Sequence, residues 1–86
     1  MRQVREAIHV ECSNGQPQRL VWRGRLYHVV GVDDCWRYAG KWWLDGKGWR
    51  RAYFCVSAQP VGKSGALVSF EMYRQNGHWV LHRVLD

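Results

Sequence analysis

Val68-Ser69-Phe70-Glu71-Met72-Tyr73-Arg74-Gln75-Asn76-Gly77-His78-Trp79-Val80-Leu81-His82-Arg83-Val84-Leu85 is the stretch that decides the fold. Asn-Gly suits a two-residue type I′ turn, because both central positions need a positive φ and these two residues tolerate it. With Asn76-Gly77 at the turn, Arg74 faces Trp79, Met72 faces Leu81, Phe70 faces Arg83 and Val68 faces Leu85. The opposite face carries Tyr73 with Val80, Glu71 with His82 and Ser69 with Val84. One face is apolar with an arginine at its margin, and the other is mixed. A slip of one residue scrambles both faces, so turn chemistry and hydrophobic pattern agree on a hairpin. Its expected core members are Met72, Phe70, Val68, Leu81 and Leu85.

Upstream, period-two alternation continues. Trp49 to Ala58 turns Ala52, Phe54 and Val56 to one side and Arg51, Tyr53 and Cys55 to the other. Ala7 to Cys12 places Ile8, Val10 and Cys12 together, with His9 and Glu11 opposite. Both are patterns of half-buried strands. Ser13 to Pro17 reads as a turn or loop, and Gln59 to Gly65 as a loop. Residues 18 to 32 form a second hairpin with two competing registers. Arg23-Gly24 at the turn centre pairs Trp22 with Arg25 and Leu20 with Tyr27. Gly24-Arg25 there puts Gly first, as a type II′ turn wants, and pairs Trp22 with Tyr27 and Leu20 with Val29. The second register is preferred for its cross-strand aromatic pair. In the middle, Trp36, Trp42 and Trp43 suggest short strands around 35–38 and 41–44, with Asp33-Asp34, Ala39-Gly40 and Asp45 to Gly48 as turns. The expectation is an all-β domain spanning residues 1–86: a small antiparallel barrel or strongly bent sheet of about six short strands. Residues 1–6 form an arm, either flexible or shortly helical.

Composition narrows the chemistry. With 86 residues there is room for one core, and 47% hydrophobic content can fill it. Thirteen Lys or Arg oppose seven Asp or Glu, and ten of the thirteen are Arg. Guanidinium groups pair bidentately with phosphate or carboxylate and stack on rings, so an acidic partner is expected. Three cysteines at unmatched spacings form neither a zinc pair nor a secreted disulfide framework, and no apolar run reaches signal-peptide or membrane-spanning length. A cytoplasmic location follows, with no membrane partner.

No motif carries catalysis, a cofactor or a metal. Gly62-Lys63-Ser64 resembles the end of a phosphate-binding loop, but Ser57 stands where its first Gly belongs. His78 and His82 lie four residues apart on a strand, about 13 Å and too far to share one ion. Glu71 and His82 read as a surface pair rather than an acid–base couple. What remains is the interleaving of cations with rings: Trp22-Arg23-Gly24-Arg25, Trp36-Arg37, Lys41-Trp42-Trp43 and Trp49-Arg50-Arg51. Single strands are held by such mixtures, bases on rings and phosphates on cations. Trp22 and Trp79 fall on inferred core faces. The expected nucleic-acid-binding set is therefore Arg23, Arg25, Arg37, Arg50 and Arg51 for phosphate, with Trp36 and Trp42 or Trp43 for stacking. The alternative is a protein-interaction adaptor docking through the same Trp/Arg patch.

Leu20-Val21-Trp22-Arg23-Gly24-Arg25-Leu26-Tyr27, then Trp36, Trp42-Trp43, Tyr53-Phe54-Cys55-Val56, Phe70-Glu71-Met72-Tyr73 and the closing Trp79-to-Asp86 stretch resemble an uncharacterised bacterial domain family. Its members occur alone or with Y-family polymerase-like proteins of mutagenic DNA repair. The resemblance covers about residues 18 to 86 and departs at Cys55, where a basic residue is expected. It implies a setting in DNA damage tolerance and a repair-polymerase-like protein as an alternative partner to single-stranded nucleic acid. It supplies no functional residues.

Overall fold

Three two-residue turns set the course of the chain. In the computed structural model, which describes residues 2–39, 50–62 and 66–85, Asn14-Gly15, Arg23-Gly24 and Asn76-Gly77 share one geometry, with φ near 53° at the first residue and between 74° and 79° at the glycine. Two successive positive φ values are the type I′ signature, whose twist matches that of the strands it joins. The strands are β1 (Arg2–Ser13), β2 (Gln16–Trp22), β3 (Arg25–Ala39), β4 (Arg50–Pro60), β5 (Val68–Gln75) and β6 (His78–Leu85). Each pairs antiparallel with its successor, and β1 pairs with β6 to close a barrel. The all-β barrel expectation therefore holds. No helix among the described residues is long and apolar enough to cross a membrane. Residues 2–6, expected as an arm, are instead the first half of β1. Their partner is β6, too far along the chain to be foreseen from local pattern.

The interior is filled by alternate residues of β2 to β6. Leu20, Trp22, Tyr27, Phe54, Val56, Ala58, Phe70, Met72, Trp79, Leu81 and Val84 are buried, and Ile8 and Val10 pack against them from β1. Phe70 is the hub. The Trp22 and Tyr27 rings meet it at 5.8 and 4.9 Å, each at 78°, the edge-to-face arrangement that ring quadrupoles favour.

Bulges supply the curvature and account for most of the departures from the sequence reading. In the C-terminal hairpin Arg74 faces Trp79 and Met72 faces Leu81 as expected, but the register then shifts between Glu71 and Met72. His82 is the extra residue. Beyond it Phe70 faces Val84, not Arg83, and Glu71 faces Arg83, not His82. The shift puts Val84 in the core and leaves Leu85 at its edge. It also spares the barrel a buried guanidinium, which would be far costlier than one irregular ladder. A similar shift between Glu11 and Cys12 turns Cys12 outward, away from the face of Ile8 and Val10.

The second hairpin adopts the register that was not preferred, with Trp22 opposite Arg25 and Leu20 opposite Tyr27. Arg23 takes a positive φ without being Gly or Asn, and its side chain offsets that strain. Its Nη2 lies 2.6 Å from Glu6 Oε2, its Nε donates to Oε1 at 3.3 Å, and its guanidinium sits 4.8 Å from the Trp22 ring centre. Asp33-Asp34 is no turn. β3 runs through it with two bulges, between Val29 and Gly31 and between Val32 and Asp34. Asp33 Oδ2 accepts from the Ser57 hydroxyl at 2.7 Å, and Asp34 Oδ1 accepts from the Cys35 amide at 2.9 Å. The strand expected at 41–44 lies outside the described residues.

Candidate nucleic-acid interface

Burying Phe54, Val56 and Ala58 obliges Tyr53, Cys55 and Ser57 to face outward, and burying Phe70 and Met72 does the same for Glu71 and Tyr73. Register then aligns rings across strands. Trp36 lies opposite Tyr53, and Tyr53 opposite Tyr73. The Trp36 and Tyr53 rings are parallel to within 1° with centres 5.2 Å apart. Tyr73 follows at 5.2 Å and 47°, and the His82 ring stands edge-on to both tyrosines at 6.1 Å. The result is a row of four rings over β3, β4, β5 and β6. Trp36, at 39% exposed, is its most open member in hydrophobic surface, while Tyr53 and Tyr73 are half-buried.

Arg51 lies two residues from Tyr53 on the same face of β4. Its Nε donates to Gln75 Oε1 at 2.8 Å and its Nη1 to the Tyr53 hydroxyl at 3.1 Å. Its guanidinium carbon is 4.3 Å from the centre of the Tyr73 ring. These contacts hold a flat cation against the aromatic row. Arg37 flanks the row at the Trp36 end, where both line a groove of about 310 Å³ with Arg74. At the other end a groove of about 530 Å³ is lined by Arg5, Ala7, Arg51, Tyr73, Val80 and His82.

The expected site residues therefore divide. Trp36, Arg37 and Arg51 come together at the row, and Arg50 is exposed beside them on β4. Arg23 and Arg25 stand at the opposite end of β3, Arg23 with its guanidinium on Glu6. Trp42 and Trp43 lie outside the described residues. Tyr53, Tyr73, His82 and Arg5 complete the surface and were absent from the expected set. Tyr53 and Tyr73 both read as outward-facing, but the β4–β5 register that joins them has no two-residue turn to announce it. The family model for a domain of unknown function, DUF6504, matches residues 1–86. The chain belongs to this family. No curated protein and no solved structure matches it.

In this DUF6504 domain the electrostatics around the row centre on Glu71. Its Oε2 lies 2.9 Å from Arg83 Nε and 3.5 Å from His82 Nε2. Burial lowers the His82 pKa below the usual imidazole value. Glu71 opposes that shift, while Arg83, Arg5 and Arg51 reinforce it. The Cys55 thiol is pushed up, first by burial and then by Asp33, Glu71 and Asp34, so it stays protonated and unreactive.

The His82 shift has a sign that can be tested. A folded-state pKa below the unfolded one means that the unfolded chain binds more protons between the two values, so stability rises with pH there. His82's contribution is complete above about pH 6.5, the unfolded imidazole value, and is lost as pH falls through the folded one. Urea unfolding of the wild type between pH 7.5 and 5.5 is therefore expected to weaken toward acid. His82→Gln, which cannot titrate, flattens that slope; an unchanged slope in the variant would remove His82 from this role.

Proposed function

We propose that this DUF6504 domain is a non-enzymatic module that binds single-stranded nucleic acid on its outer aromatic row. The observation that carries the reading is the cross-strand alignment of Trp36, Tyr53 and Tyr73 beside a guanidinium, Arg51, already held flat against the rings. Bases stack on rings of any orientation of edge, so such a platform tolerates sequence, while Arg37, Arg50 and Arg51 follow the phosphates. The resemblance to domains that accompany Y-family polymerase-like proteins supports DNA as the strand and damage tolerance as the setting.

Three phosphate contacts to a single strand correspond to a slope of about −2 in log affinity against log salt. Fluorescence anisotropy of labelled oligothymidine at several salt concentrations is expected to return that slope. Absence of binding at low salt refutes the proposal.

A second reading, a protein-docking module, draws on a different surface. Val21 and Leu26, directly opposed on β2 and β3, are 36% and 37% exposed, and the Val61 amide donates to the Leu26 carbonyl beside them, with Val61 52% exposed. This apolar patch suits a protein partner, for which a repair polymerase-like protein is the candidate. Capture from nuclease-treated extract that is lost in Leu26→Asp and kept in Trp36→Ala favours this second reading.

A further inference from the structure

The larger groove lies where the aromatic row ends. Beyond His82 the next strand is β1, which contributes Ala7 and Arg5 to the groove and no ring. A strand whose bases stack on Trp36, Tyr53 and Tyr73 therefore runs out of platform here. What it meets instead is cationic: Arg5 from β1, Arg51 from β4 and the His82 imidazole from β6 converge on one space of about 530 Å³.

Arg5 is placed there at a cost. It has a φ of 55°, a left-handed backbone that L side chains other than Asn and Asp rarely adopt, within a bulge between Gln3 and Glu6. On the other side of β6, His82 is itself the extra residue of the bulge against β5. Both ladders that meet at His82 are thus irregular, and bulges of this kind re-aim side chains near sites. Among the described residues no acidic group pairs with Arg5. Glu71, the nearest carboxylate to His82, is engaged by Arg83. Arg51 is oriented from behind by Gln75 and Tyr53. The groove therefore offers two guanidiniums and an imidazole with little local acid to neutralise them.

Resting on the single-strand reading above, we infer that this groove is a terminal-phosphate subsite, taking a phosphomonoester at the end of the bound strand. A monoester carries close to two charges and three acceptor oxygens, so it can satisfy Arg5 and Arg51 together, which an internal diester with one charge does less well.

Anisotropy titrations with oligothymidine bearing a 5′-phosphate, a 3′-phosphate or hydroxyl ends test this. A phosphate at one end is expected to tighten binding about tenfold, the worth of one added charge-assisted contact. Arg5→Gly removes the cation while suiting the left-handed backbone, and is expected to abolish that gain; Arg5→Lys keeps part of it. Equal affinity for phosphorylated and hydroxyl ends overturns the inference and leaves the single-strand reading standing. If no oligonucleotide binds, inorganic phosphate added alone separates the two ideas. A shift of the His82 imidazole resonances that is lost in Arg5→Gly upholds the subsite without the strand, and no shift overturns it.

Discussion

Phe70→Ala is expected to cost about 3–5 kcal/mol of folding stability, the range for removing a fully buried aromatic side chain. Phe70 is 0% exposed, and both Trp22 and Tyr27 rest their edges on its ring. Its removal leaves a void bounded by two large rings on β2 and β3 that cannot both move inward, because each is tied into a ladder. A domain of this size has a margin of roughly 5–10 kcal/mol, so the variant forfeits about half of it. The midpoint of thermal unfolding should fall by about 15–30 °C. Val30→Ala, at a position 55% exposed, serves as the comparison and should stay within about 0.5 kcal/mol of wild type. Urea titration followed by tryptophan fluorescence gives both values. A Phe70→Ala loss under 1 kcal/mol would mean that the core is not organised around this ring.

The largest expected effect on binding belongs to Trp36. If a base stacks on its indole, Trp36→Ala removes about 1–3 kcal/mol, which is roughly a 5- to 150-fold loss of affinity for a single strand. Trp36→Phe keeps a ring and should retain most of the affinity. The indole is 39% exposed and packs chiefly on Tyr53, so thermal unfolding of the alanine variant should remain close to wild type. That separation of binding from stability distinguishes a contact with the ligand from a merely structural role. Unchanged affinity in a folded Trp36→Ala protein would move the interface away from the row.

The C-terminal hairpin was legible because Asn76-Gly77 states its own turn type and the flanking alternation confirms it. The neighbouring hairpin was misread for a physical reason. Its two candidate registers differ by two residues, so both place Leu20, Trp22 and Tyr27 inward, and hydrophobic pattern alone does not choose between them. Turn geometry chose, with Arg23 accepting a left-handed backbone that Glu6 helps to hold. Bulges were invisible, since nothing in Glu71-Met72 or in His82 marks an unpaired residue. The Asp33-Asp34 pair looked like a turn because free Asp side chains cap local backbone; here they cap within a strand. Of the site, Trp36, Arg37 and Arg51 could be named from the interleaving of charge and rings. Tyr53 and Tyr73 could not be joined without the β4–β5 register, and Arg5 could not be placed without the β1–β6 ladder.

That last ladder also gives the barrel an unequal history. Five of its six seams join strands consecutive in the chain, four of them through described connections so short that they zip from their turns or nearly so. The sixth brings Arg2 beside Val84 and Ile8 beside Trp79, contacts separated by almost the whole polypeptide. Closing a loop of that length carries the greatest entropic cost in the topology, so this seam is the step on which the folding rate depends. Arg5 and His82 straddle it. An anion held between them would act as a clasp, and saturating phosphate should slow unfolding of the wild type while leaving Arg5→Gly unaffected.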